Sequence, residues 1–328
     1  SPGPGSQLNE SEYTIAEALR DNGYSTMIAG KWHLSRGENG SSPEEQGFDK
    51  NYGGGDSGVP KSYFYPYNIQ KRGRGNENAP DLTKLPEVEE GYHLTDQLTD
   101  LTLGWLDENY KNKKNRKPFF IYLSHYEVHT PFEGKSLIEE KYKIKKENLY
   151  KDENTQGPFQ YESTTGETKL RQDNHIYAAM IENLDTNFGR VIKYLKENNL
   201  YKNTIIVFTS DHGGLSNRGN NRPLATSNLP LRAGKGHNYE GGIKVPLFVV
   251  WENKIVSGWS NTLVTGTDHF PTLLELIGED TMGEKHLDGL SFKNSLTGEF
   301  QDNSKRPIFW HSPRPRPKST GDLANTAI

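Results

Sequence analysis

The chain has no cysteine among its 328 residues. That excludes disulfides, thiolate metal sites and a cysteine nucleophile within this stretch. Long apolar runs are missing too. The longest, Leu247 to Trp251, is far short of the ~18 or more residues a membrane span needs. No apolar leader opens the sequence, although a mature chain would have lost one. Nor is there a surplus of one charge: 39 basic and 43 acidic residues give a formal net charge of −4, which argues against a general nucleic-acid binder. The hydrophobic fraction is only 32%, and counting glycine lifts it to about 42% against the ~45–50% of soluble domains. Such a composition fits a loop-rich chain or one from which core strands are absent. What is present includes ten histidines, the natural carriers of proton chemistry near neutrality.

The length suits one large α/β domain. Ser11 is read as a helix cap, with Ile15, Ala18 and Leu19 at helical spacing as far as Asn22-Gly23. Further helices are predicted over His93–Asn109, His175–Asn199 and Asp268–Ile277. Strands are predicted over Tyr24–Ala29, Pro118–Ser124, Thr204–Thr209, Pro246–Val250 and Arg306–Trp310. This alternation predicts a mostly parallel sheet covered by helices on both faces. Residues 37–90, which show little periodicity, and 134–168, which are polar and lysine-rich, are read as surface or substrate-loop excursions. The histidine clusters follow predicted strands: His33 after the first, His125 and His129 after the second, His212 after the third. In open α/β sheets ligands bind beyond the carboxyl ends of strands.

Each constellation has two readings. Asp211-His212-Gly213 pairs a carboxylate with an imidazole, which suits two metal ligands or a strand-end turn. Lys31 and His33, two residues apart in an extended segment, share a side and suit an anion, or simply a solvated loop. Lys235 lies among four glycines between Gly234 and Gly242, in a string that suits an oxyanion loop or a flexible one and lacks Walker spacing. His129 before Thr130-Pro131 could protonate a leaving group or bond to its own backbone. The run Tyr63-Phe64-Tyr65-Pro66-Tyr67 with Lys71, Arg72 and Arg74 suits anionic sugars, or a loop packed on its own tyrosines.

Taken in order, these residues carry a family likeness. Gly23-Tyr24-Ser25-Thr26-Met27-Ile28-Ala29-Gly30-Lys31-Trp32-His33 resembles the second signature, G-Y-x-T-x-x-x-G-K-W-H, of the formylglycine-dependent, arylsulfatase-like sulfatases of the alkaline-phosphatase superfamily. Val128-His129-Thr130-Pro131, Thr209-Ser210-Asp211-His212-Gly213 and Gly234-Lys235-Gly236 through Gly241-Gly242-Ile243-Lys244-Val245-Pro246 extend the resemblance over Ser11 to about Trp310. The resemblance implies an alkaline-phosphatase-like fold and hydrolysis of sulfate esters. It implies that Lys31 and Lys235 hold sulfate oxygens, with His237 also at the substrate. His33 would assist a formylglycine hydrate, and His129 would protonate the departing alcohol. Asp211 and His212 would ligate one calcium ion (Ca2+). The aromatic and basic loop favours a sulfated polysaccharide or oligosaccharide as partner, with Arg72 and Arg74 as substrate contacts. A periplasmic or extracellular location is implied by the family alone.

The chain also departs from the pattern. No C/S-x-P-S-R segment, the source of formylglycine, precedes the second signature, and Ser312-Pro313-Arg314 has proline and arginine in the wrong places. The expectation is a sulfatase catalytic domain incomplete at both ends, inactive without its nucleophile segment. The alternatives are a phosphodiesterase or phosphonate monoester hydrolase of the same superfamily, and a catalytically silent binder of sulfated glycans.

Overall fold

The computed structural model describes residues 8–35, 41–56, 58–67, 82, 85–111, 114, 116–151, 158–299, 306–313 and 315–328. Its elements begin with helix Ile15–Asp21 (α1), strands Ser25–Gly30 (β1) and Lys50–Tyr52 (β2), helix Leu94–Tyr110 (α2), strand Phe119–Ser124 (β3) and helix Ser136–Leu149 (α3). Strands Phe159–Glu162 (β4) and Gly166–Lys169 (β5) lead to the long helix His175–Glu197 (α4) and to strands Ile206–Thr209 (β6) and Asn217–Arg218 (β7). Then come Glu240–Ile243 (α5), Leu247–Val250 (β8), His269–Ile277 (α6), Lys293–Thr297 (α7), Trp310–Ser312 (β9) and Asn325–Ala327 (β10). They fall in two compact units. One comprises Ser1–Ile138, Ala179–Tyr201 and Gly266–Ser291; the other Glu139–Ala178, Lys202–Thr265 and Phe292–Ile328.

The first unit is built on a parallel sheet in the order β2-β1-β3. β1 is the central strand, and five of its six residues are buried, as a strand covered on both faces requires. Its pairing with β3 runs from Ser25 opposite Phe119 to Gly30 opposite Ser124, so both strands end at the same level. α1 and α2 pack on β1. Ala18 and Leu19 of α1 meet Phe270 and Leu274 of α6 in one core cluster, while Ala16, Ile28 and Phe48 form another, with Trp32 and Phe120 at its margin. α1 starts later than the spacing suggested. Thr14, not Ser11, is its cap, accepting from Glu17 N at 3.2 Å while Glu17 Oε2 accepts from Thr14 N at 2.8 Å.

The second unit contains an antiparallel sheet β4-β5-β7, the antiparallel pair β6-β8 and the antiparallel hairpin β9-β10. The parallel sheet of the first unit is the one the alternation predicts, and the described strands of the second unit add antiparallel pairs. Residues 134–168 carry α3, β4 and most of β5. α3 buries none of its residues, so no apolar stripe marks it; Glu140–Lys143 and the lysines over Tyr142 decorate its surface instead. The last predicted strand also shifts, from Arg306–Trp310 to β9.

Candidate active site

The Gly-Lys-Trp-His segment leaves β1 under tight constraint. Gly30 has φ +108°, and a Cβ there would overlap the Ser124 carbonyl oxygen. Only glycine lets the two strand ends close this far. Beyond them, Lys31 N donates to Ser124 O at 2.7 Å and Ser124 Oγ donates to Lys31 O at 2.6 Å. Trp32 turns inward, donating from Nε1 to Ser41 O at 3.0 Å with its ring edge-on to Phe48. Lys31 and His33 flank it, each partly exposed. His33 has φ +61°, its N–H donates to Gly55 O at 2.9 Å, and its ring lies where a Cβ on Gly58 would be. The left-handed backbone of His33 is held by this neighbourhood rather than by its own preference.

β3 delivers His129 through a tight turn. His129 N donates to Tyr126 O at 3.0 Å, and the hydroxyl of fully buried Tyr63 donates towards Tyr126 O at 2.6 Å and His129 O at 3.0 Å. The His129 Nδ1 lies 3.0 Å from Thr130 O. Thr130 Oγ1 is 3.2 Å from the same nitrogen, and with its proton on Nδ1 the ring donates to the carbonyl and presents Nε2 to a leaving group. Tyr63 and Tyr67 are buried, so these two rings are core and not a sugar platform, which corrects that reading of the aromatic run. Arg72 and Arg74 lie outside the described residues.

Behind this turn sits a buried polar cluster that the motif reading missed. His93 caps α2, its Nδ1 accepting from Thr95 N at 3.3 Å with Asn183 Nδ2 at 3.2 Å, and its ring stacks on Tyr63. Its Nε2 is 3.6 Å from Glu127 Oε1 and 3.4 Å from Glu133 O. Among the described residues, neither oxygen of Glu127, neither ring nitrogen of His125 and not Asn183 Oδ1 has a partner at hydrogen-bonding geometry. Burial dominates their titration. It pushes the Glu127 carboxyl up to about 8, against the opposing pull of Thr95 and Asn183, and drives His93 and His125 down to about 4. The available signal was Glu127 itself, a carboxylate three residues beyond the end of β3.

In the second unit, β6 runs into Asp211-His212-Gly213-Gly214. A Cβ on Gly213 would overlap the Gly241 carbonyl oxygen, and Gly213 N donates to Gly242 O at 2.9 Å. Gly214 O accepts from Lys235 N at 3.0 Å. Asn228 Nδ2 lies among Gly214 O at 2.9 Å, Ala233 O at 3.0 Å and Gly241 O at 3.1 Å. Gly234, Gly241 and Gly242 near Lys235 therefore serve close packing against backbone. One platform carries Asp211, His212 and Lys235. His237 is buried, its Nε2 2.9 Å from Thr320 O, an arrangement that suits bracing the loop better than touching a sugar.

Asp211 Oδ2 is 3.2 Å from His212 Nε2, and His212 Nδ1 is 3.0 Å from Gly213 O. A calcium ion takes six to eight oxygen ligands. Among the described residues no group of three or more His, Asp or Glu side chains is placed to hold a metal. This pair offers one exposed carboxylate and one nitrogen, a part of such a shell and not the whole of it.

The fold is α/β and of the alkaline-phosphatase-like class. The Sulfatase family model matches residues 2–279, and the chain belongs to that family. It is 27% identical over 311 residues to the "Uncharacterized sulfatase YdeN" of Escherichia coli, covering 91% of this chain and 49% of that protein. It is 27% identical over 318 residues to the N-acetylgalactosamine-6-sulfatase of Mus musculus, covering 93% of this chain and 52% of that one. The chain thus spans about half the length of the curated relatives it matches. Among solved structures, Ps i-CgsB in complex with k-i-k-neocarrahexaose matches at a TM-score of 0.65 and 29% identity, covering 91% of this chain and 61% of that one. No helix among the described residues is long and apolar enough to cross a membrane.

Proposed function

We propose that the protein is a sulfuric ester hydrolase that removes sulfate from a sulfated carbohydrate. The observation that carries this reading is the way the backbone is used. Two separate lysines, Lys31 and Lys235, sit on segments fixed by glycines that no other residue could replace, Gly30 in one case and Gly213, Gly241 and Gly242 in the other. Cations carried on a fixed backbone suit an oxyanion whose charge is redistributed as an ester bond breaks, because the chain that carries them need not reorganise at that moment. Lys31 and Lys235 are assigned to the sulfate oxygens. His129 donates the Nε2 proton to the alkoxide oxygen as the sulfur–oxygen ester bond breaks, and Thr130 O holds Nδ1–H so that the ring keeps its orientation. His33 is assigned to proton transfer at the nucleophile. A formylglycine hydrate supplies the attacking oxygen when present, and a divalent ion, to which Asp211 and His212 contribute donors, adds positive charge. The sugar class rests on relatives named for N-acetylgalactosamine 6-sulfate and on a structural neighbour bound to neocarrahexaose. A periplasmic or extracellular location is proposed on family grounds.

Lys235→Met and Lys31→Met should each lower kcat/KM for a sulfate ester by about 10²-fold or more, the usual cost of removing one preorganised charge partner. Arg72→Gln and Arg74→Gln should weaken turnover of a sulfated polysaccharide while sparing a small aryl sulfate. Steady-state kinetics on both substrates separate the two. Lysine variants with unimpaired rates would contradict the assignment.

A further inference from the structure

The turn between β9 and β10 carries a feature the reaction does not use. Residues 316–322 pack between two segments of the same unit. On one side, a Cβ on Gly236 would meet Arg316 Nη2 at 2.7 Å, Thr320 Oγ1 at 2.9 Å and Asp322 Oδ1 at 3.1 Å, so the turn lies directly on the residue after Lys235. On the other, a Cβ on Gly219 would overlap the Pro317 carbonyl oxygen, and Arg222 Nη1 donates to Ser319 Oγ at 3.0 Å. Arg316 is thereby brought against the Lys235 loop, and Arg222 against the same turn.

Their charges are not balanced. Asp322 is fully buried and spends its carboxylate on the turn, accepting from Thr320 Oγ1 and from Arg316 N at 3.3 Å. It reaches only Nε of Arg316, at 3.6 Å, and the Arg316 side chain remains 40% exposed. Among the described residues neither Nη of Arg316 donates a hydrogen bond, and no carboxylate pairs with Arg222. Arg222 is half-buried, and its pKa is lowered first by that burial and then by the charge of Arg316. Like charges held together and partly desolvated, with one carboxylate in reach of Arg316 alone, are costly to maintain without a further counter-charge. Guanidinium forks with unused N–H groups are the usual device for binding sulfate or carboxylate oxygens.

We propose that Arg222 and Arg316 form a second oxyanion subsite beside Lys235, which reads a further anionic group on the same sugar chain, either a second sulfate ester or a uronate carboxylate. The proposal rests on the reading of Lys235 as a sulfate ligand. It makes the protein selective for densely charged carbohydrates, the charge beyond the scissile ester being recognised by this pair.

Calorimetric affinities decide the matter without requiring turnover. The probes are three oligosaccharides of equal length: one monosulfated, one carrying a second sulfate, and one carrying a single sulfate and a uronate. The protein should bind at least one doubly charged probe about tenfold or more tighter than the singly charged one, and which of the two gains identifies the second group. Arg222→Gln, Arg316→Gln and their combination should bring that ratio close to one. Lys235→Met should weaken all three probes alike and preserve the ratio. If Lys235→Met leaves every affinity unchanged while the arginine variants remove the preference, the sulfate reading of Lys235 fails and the subsite stands. A ratio near one in the unaltered protein, or one that survives loss of both arginines, overturns the subsite. Arg316 also braces the turn, so Arg316→Lys and Arg222→Gln, checked by circular dichroism, guard against mistaking a collapsed turn for a lost contact.

Discussion

Replacing His129 by alanine should slow release of sulfate from a sugar by about 10²–10⁴-fold, the range for losing a positioned general acid. The loss should depend on the alcohol that leaves. A sugar alkoxide is strongly basic and must be protonated as the sulfur–oxygen bond breaks, whereas a nitrophenolate departs without help. 4-Nitrophenyl sulfate should therefore be hydrolysed by H129A within about tenfold of the unaltered rate. The same comparison in T130A isolates orientation from proton supply. Nδ1 lies near both the Thr130 main-chain carbonyl, which alanine keeps, and Thr130 Oγ1, which it removes, so any loss in T130A measures what the hydroxyl adds to orientation and should fall alike on both substrates. Equal losses of H129A on sugar and aryl esters would show that His129 positions the ester and does not protonate it.

Substituting Glu127 by glutamine should stabilise the first unit at alkaline pH. The folded carboxyl titrates at about 8 because burial disfavours its charge, while an unfolded one titrates near 4.5. The folded state therefore holds the proton more tightly, and stability falls as pH rises from about 4.5 to 8, then levels off. The full linkage has a ceiling of about 5 kcal/mol, and about 2–4 kcal/mol should be recovered in E127Q at pH 8. Below pH 4.5 the variant should gain nothing. His93 and His125, held near 4 against an ordinary 6.5, produce the opposite limb: their contribution is complete above 6.5 and is lost as pH falls towards 4. The charged groups facing the cluster are Asp96, with Lys135 paired to it at 2.5 Å, and Glu133, which Ser62 and Tyr63 N engage. Those two carboxylates are already partnered, which leaves Glu127 as the group that sets the alkaline limb. Hydrogen exchange at the α2 amides, read from pH 4 to 9, follows this unit specifically. An E127Q profile that runs parallel to the unaltered one would show that Glu127 is ionised throughout.

Much of the scaffold is legible in the sequence. β3 announces itself by its apolar run, β1 as a short β-prone run, and α2 and α4 by their spacing. The Gly-Lys-Trp-His and Gly-Lys-Gly segments were legible since their glycines answer to backbone clashes that admit no substitute. Other features leave no such trace. α3 buries nothing and so has no stripe. The strand sequences of β6 and β8 do not encode that they pair antiparallel. Tyr63 and Tyr67 look like the exposed tyrosines of a loop until Gln97, Tyr126 and His129 supply partners for their hydroxyls. The burial of Glu127 and His93 is a tertiary fact: polar residues read as surface unless the neighbours that enclose them are known.

The measurement closest to the central claim compares kcat/KM for 4-nitrophenyl sulfate with that for bis(4-nitrophenyl) phosphate. Both carry one negative charge and the same leaving group, so the ratio reports the atom under attack and little else. A protein whose lysines are set for a sulfuryl group should favour the sulfate. Faster cleavage of the phosphodiester would contradict the account and assign the protein to phosphoryl transfer instead.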